Sequence, residues 1–93
     1  MRDWSGHLLV LGLGVSGQAT AEWGLDRAAE GADVRVTVVD SRSGPVLEQR
    51  AEPLRARGAD VWLGTDEVPS ADLVVPSPGI RPASDLYRAA ERL

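Results

Sequence analysis

Two hydrophobic rhythms alternate along the chain. Short apolar runs at residues 7–11, 34–39, 60–63 and 73–75, rich in Leu and Val, read as buried strands. Between the first two, Gly17, Thr20, Ala21, Gly24, Leu25 and Ala28 fall on one helical face, while Gln18, Glu22, Asp26 and Glu30 share another. Gly31 ends that helix. Its small inward residues predict close approach to a sheet, which is the reason for a mid-helix Gly24 that costs about 1 kcal/mol relative to alanine. Trp23 sits at the flank between the two faces. Leu47, Ala51 and Leu54 repeat the helical spacing, but Pro53 lacks an N–H and clashes with the preceding turn. We therefore expect that helix to begin near Glu52, with Pro53 in its first turn and Gly58 at its end. A last helix is expected over residues 84–93, with Leu86, Ala89, Ala90 and Leu93 as its stripe. Arg35 and Thr37 interrupt the second strand, so one of its faces is expected to be only partly covered.

The first strand runs directly into Gly12-Leu13-Gly14-Val15-Ser16-Gly17 and then into the first helix. In such a turn Gly12 reverses the chain, Gly14 leaves room for a phosphate, and Gly17 lets the helix lie close to the sheet. The first N–H groups of the helix then favour an anion. The second strand ends in Asp40-Ser41-Arg42, about 20 residues beyond the glycines, where dinucleotide-binding folds keep an acid for ribose hydroxyls. The fourth strand ends in Pro76-Ser77-Pro78-Gly79-Ile80, a stiffened turn. The alternation predicts an α/β, Rossmann-like three-layer domain with a parallel sheet of about four strands in the order 3-2-1-4, cut before a fifth. That order brings the turns after strands 1, 2 and 4 to one crevice. By spacing alone, an NAD-binding domain of an oxidoreductase or regulatory module fits the glycines and Asp40 as well as any other nucleotide site.

Composition narrows the partners. Ninety-three residues make one small domain, and 43% hydrophobic with 26% charged residues is the balance of a globular protein. A net charge of −4 speaks against nucleic acid, and no apolar run is long enough to cross a membrane. With no signal-peptide core and no cysteine, we expect a cytoplasmic protein without disulfide or thiolate chemistry. His7, the lone histidine, has nothing near it in sequence to complete a triad and reads as structural.

Three segments in order, residues 12–17, Val39-Asp40-Ser41-Arg42 and Ala71-Asp72-Leu73-Val74-Val75-Pro76-Ser77-Pro78-Gly79-Ile80, resemble the N-terminal domain of the Mur ligases, above all the members that add D-glutamate. The resemblance implies binding of the UDP part of UDP-N-acetylmuramoyl-L-alanine. It implies that Gly14, Val15, Ser16 and Gly17 meet the diphosphate, that Asp40, Ser41 and Arg42 hold the uracil, and that Ser77, Pro78 and Gly79 line the opposite wall. Uracil chemistry suits them, since its N3–H needs an acceptor and a guanidinium can stack on its face. Two departures stand out. Residues 25–35, between the first helix and the second strand, look long for the family. The chain also has no lysine and no G-x-x-x-x-G-K-[ST] loop. The family's ATP and magnesium are therefore expected in an ATP-binding domain outside residues 1–93, and this chain alone is expected to be inactive, with no catalytic residue, cofactor or metal of its own.

Overall fold

The computed structural model describes residues 5–76. Its elements follow the order β1 (Gly6–Leu11), α1 (Val15–Ala29), β2 (Val34–Asp40), α2 (Pro45–Ala56), β3 (Asp60–Leu63) and β4 (Leu73–Pro76). The strands form one parallel sheet ordered β3-β2-β1-β4, as the sequence predicts. In register, Leu8 pairs with Val36 and Leu73, and Val10 with Val38 and Val75. The expected helix over residues 84–93 lies outside the described residues.

Because side chains alternate across a pleated sheet, the two faces carry different sets. Leu8, Val10, Val36, Val38 and Val61 join Leu13, Ala21, Leu25, Leu47, Ala51 and Leu54 in the main core, so α1 and α2 cover the same face. Gly24 makes this approach possible: a Cβ there would stand 2.7 Å from Val36 Cγ2 and 2.8 Å from Leu8 Cδ2. On the other face Leu9, Leu11 and Val39 pack with Val68, Ala71 and Val74. Here the connection from β3 to β4 lies across the sheet, without a helix among the described residues. Thr37, one of the two polar interruptions, is buried on this face and its Oγ1 lies 2.7 Å from His7 Nε2. Arg35 stays exposed and pairs with Asp60. His7 thus has a structural partner. Its N–H also donates to Asp72 Oδ2 at 2.7 Å, tying the start of β4 to β1.

Two expectations are corrected. α2 begins at Pro45, seven residues ahead of Glu52, and runs through Pro53. Burying Leu47 and Ala51 requires helix from the start of that stretch, and Pro45 at the first position fits it. Pro53 lies on the exposed face, so the carbonyl it leaves without a donor, that of Gln49, is on the wet side of the helix. Gly58, with φ +102, follows the last turn as expected. Residues 25–29 belong to α1, so the connection to β2 spans only residues 30–33.

Candidate functional site

All four strands point their carboxyl ends to one edge, and the glycine turn lies there. Gly12 has φ +94 and its N–H donates to the Val39 carbonyl at 2.8 Å, extending the ladder one step beyond β1. Leu13 is fully buried in the main core, and its N–H donates to Asp40 Oδ2 at 2.8 Å. The turn after β1 and the end of β2 are therefore joined by a buried hydrogen bond.

That bond orients its neighbours. In a planar trans amide the C=O points opposite to the N–H, so fixing Leu13 N–H on Asp40 turns the Gly12 carbonyl away from it. A Cβ on Gly17 would lie 1.9 Å from that carbonyl oxygen. Gly17 is a glycine because the turn and α1 meet there.

Asp40 is almost fully buried, and its carboxylate is completely engaged. Oδ1 accepts the Arg42 N–H at 2.8 Å and Nε at 3.1 Å, while Oδ2 accepts Arg42 Nη2 at 2.9 Å beside Leu13 N–H. Four donors fill about four lone-pair sites. Burial works to raise its pKa, but the hydrogen bonds from the Arg42 side chain, the Leu13 amide and the Arg42 amide, with the Arg42 charge, outweigh it and hold the carboxyl below its ordinary value. The same pair raises the pKa of Arg42, whose side chain is 66% exposed. Its guanidinium is thus held by one edge on a buried carboxylate and open to solvent. Ser41 is exposed between them, and Gly64 N–H donates to both the Asp40 and Arg42 carbonyls at 2.9 Å, pinning the loop.

α1 opens without a side-chain cap and with no acid in its first turn. Its first intrahelical bond runs from Gln18 N–H to the Gly14 carbonyl at 2.9 Å, so the N–H groups of Val15, Ser16 and Gly17 lie ahead of any acceptor in the helix. Val15 is 77% exposed and Ser16 is exposed beside it. Gly14 has φ −89 and ψ −168, an extended conformation open to any residue, so its own backbone does not demand a glycine. Of the anticipated residues, Gly14, Val15, Ser16, Gly17, Asp40, Ser41 and Arg42 come together at this edge. Ser77, Pro78 and Gly79 lie outside the described residues; Pro76, which precedes them, pairs with Leu11 beside the turn.

One participant escaped the sequence reading. Arg50 of α2 donates from Nη1 to the Leu13 carbonyl at 3.1 Å. Its signal was there: Leu47, Arg50, Ala51 and Leu54 form one i, i+3, i+4, i+7 stripe, and an arginine on an otherwise apolar stripe needs an inward partner.

The chain is similar to two proteins named UDP-N-acetylmuramoylalanine–D-glutamate ligase. That of Frankia casuarinae is 43% identical over 91 residues, covering 95% of this chain. That of Thermobifida fusca is 45% identical over 86 residues, covering 90%. The match is to the N-terminal part of these ligases, in line with the Mur ligase resemblance of this chain's three segments. The chain spans 18% and 17% of the length of those two ligases. No protein-family model matches it, and no solved structure does. Among the described residues, no helix is long and apolar enough to cross a membrane.

Proposed function

We propose that this domain binds the UDP portion of UDP-N-acetylmuramoyl-L-alanine, within an ATP-dependent ligase that adds D-glutamate to it during peptidoglycan precursor synthesis in the cytoplasm. The observation that carries the reading is the hydrogen bond from Leu13 N–H to Asp40, which sets an uncapped helix start beside an acid–arginine pair. The similarity to two ligases named for that substrate supports it. On this reading the diphosphate meets the N–H groups of Gly14, Val15, Ser16 and Gly17, where the helix dipole favours negative charge. The uracil lies on the exposed face of Arg42, with Asp40 and Ser41 at its edge and Ser77, Pro78 and Gly79 opposite. For Asp40 to accept the uracil N3–H, Arg42 must release one of its two side-chain bonds to the carboxylate and stack instead. ATP and magnesium act through residues beyond this chain, which alone neither hydrolyses ATP nor ligates.

Titration of the full-length protein with UDP, N3-methyl-UDP, 2′-deoxy-UDP and NADH tests this. UDP is expected to bind, N3-methylation to weaken binding about tenfold or more through the lost charge-assisted bond, and NADH not to compete. Full affinity for the N3-methyl ligand with a large loss for the deoxy ligand would move Asp40 from the base to the ribose.

A further inference from the structure

We infer that Arg50 is a positioning residue of the diphosphate site: by holding the Leu13 carbonyl it aims the Gly14 amide at the anion. This rests on the UDP-binding reading above.

The peptide unit between Leu13 and Gly14 carries the Leu13 C=O on one side and the Gly14 N–H on the other, and no peptide bond in the described chain is cis. Whatever fixes the carbonyl therefore fixes the direction of the N–H. Rotation of this unit changes ψ of Leu13 and φ of Gly14. A glycine takes either sign of φ at little cost, so the turn's own sterics restrain this peptide only weakly. A flip would present a carbonyl oxygen, in place of an N–H, to a diphosphate.

Arg50 supplies the restraint. It sits half-buried on the inward stripe of α2, among Leu47, Ala51 and Leu54, and reaches 3.1 Å from Leu13 O. The flanking peptides are fixed by other means. Asp40 holds Leu13 N–H, and Gly14 O accepts the first bond of α1. Arg50 is the donor to the carbonyl between them. The Leu13 side chain lies in the same core cluster as Leu47 and Ala51 of α2. The bond joins two residues that are 37 positions apart in sequence.

The test uses the full-length protein with Arg50→Met, which keeps the aliphatic stem and loses the donors, and Arg50→Lys, which keeps the charge and a donor group without the planar fork. Binding of UDP and of uridine is measured for each, alongside a melting curve. Arg50→Met is expected to bind UDP about tenfold more weakly, the loss of one hydrogen bond to an anion, with uridine affinity unchanged. Arg50→Lys is expected to recover part of the UDP affinity. A purely structural arginine would lower both ligands together. Equal loss of both, or no loss of UDP, overturns the inference while leaving the UDP reading intact. Failure of the unmutated protein to bind UDP overturns the reading and takes this inference with it.

Discussion

The two helices begin alike and do opposite things. Each follows a parallel strand, and each has a glycine at its N-cap that offers no side-chain oxygen to the free N–H groups. At α1 that glycine, Gly14, is in an ordinary extended conformation, no acid occupies the first turn, and Val15 and Ser16 stand open to solvent. At α2 the glycine, Gly44, has φ +121, Pro45 removes one of the donors, and Glu48 places a carboxylate in the first turn. One start leaves its donors and dipole available to an anion, while the other has fewer donors and a charge of its own. The pair teaches that a helix N-terminus stays open to an anion through what is withheld from it. Gly44 meets a demand of the backbone, its positive φ, while Gly14 meets none and, on the proposed reading, leaves room for a diphosphate.

The contrast breaks most readily at the glycines. Gly14→Val is expected to abolish UDP binding while shifting stability by no more than about 1 kcal/mol, since its φ is open to valine. Gly17→Val, three residues on, is expected to cost about 3 kcal/mol or more of stability because its Cβ meets the Gly12 carbonyl. Equal melting temperatures for the two variants would sink this division of labour. Next in size is Asp40→Asn, which keeps the shape and loses the charge that holds Arg42 and Leu13, at a cost of about 2 kcal/mol at neutral pH. Because folding lowers the Asp40 pKa, its contribution is whole above the ordinary aspartate range and is lost as pH falls through the lowered value. The stability gap between wild type and Asp40→Asn, followed by urea unfolding from pH 7 downward, should therefore hold through weak acid and close only below that range. A gap that widens on acidification would contradict the assignment.

Smaller effects sharpen the other half of the comparison. Gly44→Ala forces a left-handed-side φ on an alanine and is expected to cost about 1–2 kcal/mol while leaving UDP affinity unchanged. A loss of affinity there would mean that the second helix start also faces the ligand. Glu48→Gln should cost only about 0.5 kcal/mol, because its carboxylate is exposed both to the helix end and to Arg55. That loss should shrink in 0.5 M salt, and a salt-independent loss would point to packing instead of charge.

Most of the sheet was legible because each strand is a compact apolar run and the glycine turn fixes where the first helix starts. The order followed from the Rossmann-like alternation with right-handed crossovers, and the small face of α1 foretold its close approach to Val36 and Leu8 at Gly24. The start of α2 was not legible, because a proline three residues before a helix end looks like a breaker until the exposed side of the helix is known. Asp40 and Arg42 were readable as candidates from their place at a strand end. Their mutual bonds, and the bond of Asp40 to the turn, were not, since sequence distance carries no angle. Arg50 broke an apolar stripe in plain view, yet its partner lies in a turn that only the folded chain brings near.

The glycine turn looks self-contained in sequence, yet its shape is dictated by residues that come later. Leu13 is held by Asp40, 27 positions on, and by Arg50, 37 positions on. Closing loops of that length is slow compared with winding a helix, so α1 can form well before the turn at its head is set. As the chain emerges during synthesis or refolds from urea, competence to capture UDP should therefore appear late, after α2 has docked. Ligand capture would lag behind the recovery of helical signal, making the nucleotide a reporter of the last step of folding.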